Sequence, residues 1–258
     1  MISGKNIVLT GASSGIGLEV LKLIVKGGNN ILAVSRTAEE KLGGFDKSVT
    51  VFNADVGSAE GVDSIFKKAE EVFDGGKIDI FIANAGFPYY EEYNYADWER
   101  VGKMFDTNTL SPIYTYSRYL EHLNGGEGAL AMTISAIGQM AMPGYAIYSA
   151  TKFALQGFQQ AIRLEKPKNL QLTCIYPIAT ETNFFRVANE KEFEKPFPVQ
   201  SAEVVAKKIV RGIENGKRSV SPSALFTLSK FLMGVCPPVR AVYWKLEKNK
   251  LDRFTGKK

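Results

Sequence analysis

The chain has 258 residues, 45% of them hydrophobic and 23% charged, with a formal charge of +5, two cysteines and one histidine. A chain of this length can bury a core large enough to fold without disulfide or metal, and its two thiols, Cys174 and Cys236, form no spaced framework and read as free cysteines of a reducing compartment. The whole charge excess lies in residues 240–258, seven basic against two acidic, which excludes a nucleic-acid-binding body; no apolar run reaches the ~20 residues of a membrane span, and no leader is expected at the N-terminus.

Residues 5–10 (KNIVLT) read as a strand, followed by the turn Gly11-Ala-Ser-Ser-Gly15-Ile-Gly17 and a helical pattern at Leu18, Leu21, Ile24 and Val25. Glycines at this spacing let backbone approach a pyrophosphate, whose charge then meets the free N–H groups at the start of the helix. The same turn satisfies Gly11-x-Ser13-x-Gly15, a nucleophile elbow. An elbow requires a histidine partner, and the single histidine, His122, falls at a helix end where it is expected to be solvated or to face the helix dipole, so a hydrolase is disfavoured.

Residues 30–35 form a second predicted strand ending Val34-Ser35-Arg36. An acidic residue at this strand end would bond a ribose hydroxyl; a basic one suits a 2′-phosphate, so Arg36 favours NADP(H) over NAD(H). Strands are predicted over 49–53, leading to Asp55 and Val56, over 78–83, leading to Asn84-Ala85-Gly86, over 128–135 and over 170–176, with a short last strand near 219–221. Helical periodicity covers 58–73, 96–123 with interruptions at Asn108 and Pro112, 146–165 and 201–215. Strands alternating with helices predict an α/β chain: a Rossmann-like, doubly wound three-layer sandwich around a mainly parallel seven-stranded sheet. Residues 1–222 read as a nucleotide-binding catalytic domain and 223–258 as an apolar and basic extension of it.

Tyr148 and Lys152 open the 146–165 helix four residues apart, an offset of about 40° and about 6 Å that brings phenol and ammonium to one small volume. A tyrosine with its ordinary pKa near 10 exchanges protons poorly at neutral pH unless a cation favours the phenolate, and Lys152 is placed to be that cation.

In this order and at these strand ends, Thr10-Gly11-x-x-x-Gly15-x-Gly17, Asp55, Asn84-Ala85-Gly86, Asn108, Ser135, Tyr148-x-x-x-Lys152 and Pro177 with Thr180 and Thr182 resemble the short-chain dehydrogenase/reductase family in its compact single-domain form, over roughly residues 4–222. The sequence departs from the family pattern in reading Ser111 three residues after Asn108 and Ile178 after Pro177. The resemblance implies a carbonyl reductase or alcohol dehydrogenase with Tyr148 as general acid or base, Ser135 bonding the substrate oxygen, Lys152 acting on tyrosinate and nicotinamide ribose, and Asn108 holding a relay water. It implies cofactor contacts from Gly11, Ser13, Ser14, Gly15, Ile16, Gly17, Ser35, Arg36, Asp55, Val56, Asn84, Ala85, Gly86, Tyr148, Lys152, Pro177, Ile178, Thr180 and Thr182, no metal, and a homodimer or homotetramer in the cytoplasm. A nonenzymatic cofactor sensor on the same fold is the competing reading, though it has no need of the four-residue set Asn108, Ser135, Tyr148 and Lys152.

Phe87, Tyr89, Tyr90, Ile137, Met140, Met142, Phe184 and Phe185 lie where a substrate wall is expected and suit a lipophilic ketone or alcohol, unless they pack a lid against itself or against a neighbouring subunit. In 223–258 an apolar segment precedes the basic residues, the combination of a peripheral membrane contact; packing on the enzyme or across an oligomer interface is the alternative.

Overall fold

Alternation along the strands sorts side chains to two faces of one sheet. The computed structural model describes residues 1–182, 184 and 193–257. Its seven-stranded sheet has the order β3-β2-β1-β4-β5-β6-β9, parallel throughout, from β1 (Asn6–Thr10), β2 (Asn30–Ser35), β3 (Val49–Asn53), β4 (Ile80–Ala83), β5 (Gly128–Thr133), β6 (Leu170–Ile175) and β9 (Ser219–Val220). On one face Val8, Leu32, Phe81, Leu130 and Leu172 meet α3 (Ala59–Val72), α5 (Ser111–Leu123) and α6 (Ala146–Glu165) through Ile65, Phe66, Tyr119 and Leu155. On the other, Ile7, Leu9, Ile31, Ile82 and Ile175 meet α1 (Gly15–Ile24) and α7 (Ala202–Glu214) through Val20, Leu21, Ile24, Val205 and Ile209. Because both faces are covered, the strands read as continuous apolar runs.

The chain reverses its winding at β1, which lies between β2 and β4. Ligands of such sheets bind beyond the carboxyl ends of the strands at that point. There Thr10 Oγ1 accepts hydrogen bonds from the Asn84 and Ala85 N–H groups at 3.0 and 3.1 Å, tying the end of β1 to the turn after β4.

Three departures from the predicted elements have local causes. The interruption at Asn108 is a π-helical turn, Asp106–Leu110, joining α4 (Trp98–Phe105) to α5 rather than breaking the helix. Pro112 lies in the first turn of α5 and has no N–H to offer the Asn108 carbonyl four residues earlier. β5 stops at Thr133, not Ser135, because the Ile134 and Ser135 N–H groups both turn to the Ile175 carbonyl. Beyond the last strand the chain is helical over 224–255: α8 (Ala224–Val235) and α9 (Pro237–Thr255) meet at a 119° bend around Cys236. Two short elements escaped prediction, the five-residue α2 (Ala38–Leu42) and a two-stranded parallel ribbon, β7 (Thr180–Glu181) with β8 (Gln200–Ser201).

Phe81 is fully buried at the sheet centre, stacked on Phe66 and against Tyr119. Phe81→Ala is expected to cost about 3–5 kcal/mol, seen as a lower urea midpoint with an unchanged slope.

Candidate functional site

The strand ends open on a cavity of about 680 Å³. Its floor is the glycine turn. Gly11 and Gly15 have φ of +67° and +55°, where a side chain would be strained, and a Cβ on Gly17 would stand 2.1 Å from the Gly11 carbonyl oxygen. Ser14, the cap of α1, makes no side-chain bond to the helix, so the first-turn N–H groups have no side-chain acceptor. This backbone cradle fits the pyrophosphate of a dinucleotide: it is narrow, free of side chains and positive at its rim. Thr182 closes it from above, 3.2 Å from where a Gly15 Cβ would be.

Gly11, Ser13, Ser14, Gly15, Ile16, Gly17, Ser35, Arg36, Asp55, Val56, Asn84, Ala85, Gly86, Pro177, Ile178, Thr180 and Thr182 all line this cavity, as do Ser135, Tyr148 and Lys152. Asn84 is held by its neighbours: its Nδ2 donates to the Thr10 carbonyl at 3.3 Å and its Oδ1 accepts from Thr133 Oγ1 at 3.2 Å. Arg36 is exposed at the rim and makes no hydrogen bond or ion pair among the described residues. Lys41, from α2, lines the same end of the cavity. Sequence reading missed it because a helix of five residues shows no periodicity; its basic character at a short distance from Arg36 was the available signal.

Asn108 does not line the cavity. It is fully buried, with Oδ1 accepting from the Phe87 N–H at 3.0 Å and Nδ2 donating to the Phe87 carbonyl at 2.8 Å, so its side chain clamps the chain after β4 rather than offering itself to a relay water. Gly86 makes room for it, since a Cβ there would stand 2.9 Å from Asn108 Oδ1.

Tyr148 and Lys152 share one face of α6, both buried. Burial holds the Tyr148 phenol far above its ordinary value, with Ser135 pulling weakly the other way; Ser135 Oγ itself donates to the Pro177 carbonyl at 3.3 Å and accepts from the Ile137 N–H at 3.3 Å. Burial pushes the Lys152 amine down to about 7. Its Nζ donates to the Thr133 carbonyl at 3.0 Å and lies 5.8 Å from the Tyr148 ring centre. In the ligand-free chain desolvation moves both groups toward their neutral forms. Ser135 is held at φ +96°, a conformation costly for a residue with a side chain and one that concentrates at working sites.

The apolar wall is partly as predicted. Phe87, Ile137, Met140, Met142 and Phe184 line the cavity, and Phe185 lies outside the described residues. Tyr89 and Tyr90 do not line it. Tyr89 covers the Arg100 guanidinium at 3.6 Å, and Tyr90 is buried against Tyr145, Phe193 and Phe254 in the third apolar cluster. In their place stand Phe197, in the loop before β8, and Phe226, Met233 and Tyr243, which follow the last strand, where the apolar run gave no register. Tyr145, the residue before α6, also lines the cavity; its hydroxyl is buried with no hydrogen-bond partner among the described residues.

His122 is half-buried rather than solvated, its Nε2 accepting from the Ile78 N–H at 3.0 Å, and burial lowers its pKa, which keeps the ring a neutral acceptor. It lies outside the cavity that holds Ser13, which removes the hydrolase.

A glycine cradle at the winding reversal of a parallel sheet, with proton-exchanging groups lining the same crevice, defines a nucleotide-binding α/β oxidoreductase fold. The profile described as short chain dehydrogenase matches residues 5–192. The chain belongs to that family. A curated relative, 11-beta-hydroxysteroid dehydrogenase-like 4A of Arabidopsis thaliana, is 26% identical over 247 residues, covering 92% of this chain and 82% of the relative. The 3-dehydrosphinganine reductase of Danio rerio is 29% identical over 259 residues, covering 92% and 76%. A short chain dehydrogenase from Burkholderia cenocepacia solved in complex with NADP shares the fold with a TM-score of 0.78 at 20% identity, covering 95% of this chain and 98% of that one.

An amine whose folded pKa is depressed binds its proton more tightly in the unfolded chain, so its cost to stability is full below about 7 and disappears as pH rises toward the ordinary lysine value. In the ligand-free protein, Lys152→Met is expected to raise the melting temperature most below pH ~7 and progressively less toward pH ~10, by calorimetry across that range.

Proposed function

We propose that the chain is an NADP(H)-dependent oxidoreductase that reduces a lipophilic ketone to the secondary alcohol. The observation that carries this reading is the convergence of the glycine cradle, Ser135, Tyr148 and Lys152 on one cavity whose far wall is apolar. Gly11 to Gly17 would hold the diphosphate, Arg36 and Lys41 the 2′-phosphate, Asp55 and Val56 the adenine side, and Ile178, Thr180 and Thr182 the nicotinamide end. When bound, the cofactor supplies the hydride, two electrons and a hydrogen, to the carbonyl carbon.

The protein's share is position and a proton. Ser135 donates to the carbonyl oxygen as negative charge gathers there, and the Tyr148 hydroxyl gives that oxygen its proton. Burial suits this direction of reaction, because a phenol held above its ordinary pKa keeps its proton at neutral pH. Giving up that proton leaves a tyrosinate; Lys152, protonated once the cofactor's ribose hydroxyls offset its desolvation, would stabilise that anion and return a proton to it. Tyr145 leaves one buried hydroxyl for a second polar group on the substrate. Two relatives are named for a steroid and for a sphingoid base, both largely hydrocarbon, which accords with a wall of Phe87, Met140, Met142 and Phe226.

Tyr148→Phe is expected to lower turnover by about 10²–10⁴-fold while NADPH binding is kept; unchanged reductase activity would sink the mechanism. Reduction should speed up toward lower pH and alcohol oxidation toward higher pH, since one proton is consumed in the first direction and released in the second. NADPH should raise the melting temperature more than NADH, and Arg36→Ala should erase the difference; stronger stabilisation by NADH would overturn the cofactor assignment.

A further inference from the structure

Helix α8 carries two apolar stripes. Phe226, Ser229 and Met233, spaced i, i+3, i+7, are its half-buried residues, and all three line the cavity. Roughly 200° around the axis, Leu228, Phe231 and Val235 repeat the spacing and face solvent, Phe231 being 65% exposed. No residue of α8 is fully buried. The pattern continues beyond Cys236. Tyr243, Glu247, Leu251 and Phe254 of α9 turn inward, while Val239, Val242 and Leu246 are exposed. The inward side anchors the pair to the body: Trp244 Nε1 donates to the Ala141 carbonyl at 2.9 Å, and the Tyr243 hydroxyl to the Phe197 carbonyl at 3.1 Å.

Charge decides what the outer stripe meets. The chain has no acidic residue between Glu214 and Glu247, whereas Lys230, Arg240 and Lys245 are interspersed with the exposed apolar residues. Apolar side chains flanked only by cations complement an anionic lipid surface, where apolar burial and Coulomb attraction add. A second copy of the chain fits less well, because a two-fold contact would bring like charges together with no counter-charge on the face.

We propose that α8 and the first turns of α9 dock on an anionic bilayer, and that α8 is the partition through which an apolar substrate passes from lipid to cavity. The passage rests on the reductase reading; the docking does not. Among the described residues no single helix is long and apolar enough to cross a membrane; α8 and α9 together pass by length and composition but are bent by 119°, and the docking proposed is that of their outer stripe on the bilayer surface.

The test is co-sedimentation with vesicles of phosphatidylglycerol and phosphatidylcholine, or of phosphatidylcholine alone, at low and high salt. Binding is expected only to the anionic vesicles, weaker at high salt, and at least tenfold lower in a triple variant carrying Leu228→Glu, Phe231→Glu and Val235→Glu. That variant should keep wild-type turnover of a short water-soluble ketone and lose turnover of a long-chain ketone presented in vesicles. Absence of binding to anionic vesicles at low salt overturns the proposal. So does a concentration-dependent dimer, abolished by Phe231→Glu, in protein that ignores vesicles. Vesicle binding without turnover of any ketone would keep the docking and remove the reductase reading instead.

Discussion

The seam between β1 and β4 is the constraint on which the site depends. Thr10 Oγ1 gathers the Asn84 and Ala85 N–H groups, and the turn after β1 then runs so close to the turn after β4 that a Gly11 Cβ would stand 3.0 Å from Ala85 Cα. One hydroxyl thus fixes two turns that must both face a ligand. The clamp of Asn108 on Phe87 continues the same logic one step along, holding the chain after Gly86 against the π-helical turn. None of these links is an exposed ion pair, the kind of contact that contributes little and weakens with salt.

Against that rigid frame, the groups assigned to chemistry are held at a local cost. Ser135 has an unfavourable backbone, and Tyr148 and Lys152 are stripped of water without pairing to each other. The two cores on either face of the sheet are what keep them there. A fold supported by the burial of β1, β2 and β4 on both faces can carry a few unfavourable residues at its strand ends, where substitution by better-satisfied groups would stabilise the chain and remove the reactivity.

Much of this architecture was legible because parallel strands covered on both faces are unbroken apolar runs between turn signals. The helices α1, α3, α6 and α7 were legible because each turns one apolar stripe to the sheet. The glycine cradle and the Tyr148 and Lys152 spacing were readable for a different reason: they depend on backbone geometry and helical offset, which the order of residues states directly. What the sequence hid depended on contacts. Tyr89 and Tyr90 looked like cavity wall by position, yet a guanidinium claimed one and an aromatic cluster the other. Asn108 was found by motif, but its side chain proved to bind backbone. Helix α8, apolar on two sides, shows no single stripe from which a register could be read, and so Phe226 and Met233 were read only as part of an apolar segment and not as cavity wall.

The seam also sets an order of assembly. β1 can pair with β2 once residue 35 is available, at a separation of 24 residues, but its other edge waits for β4, 73 residues away along the chain. Closing the longer loop adds only about (3/2)RT ln(73/24), roughly 1 kcal/mol, to the equilibrium cost, yet contacts of such high sequence separation slow folding. Until β4 is in place β1 has a bare edge, so the crevice exists only when the middle of the sheet, rather than its rim, is completed. An N-terminal fragment ending before Ile80 would hold every glycine of the cradle and still lack the surface that gives the cradle its shape.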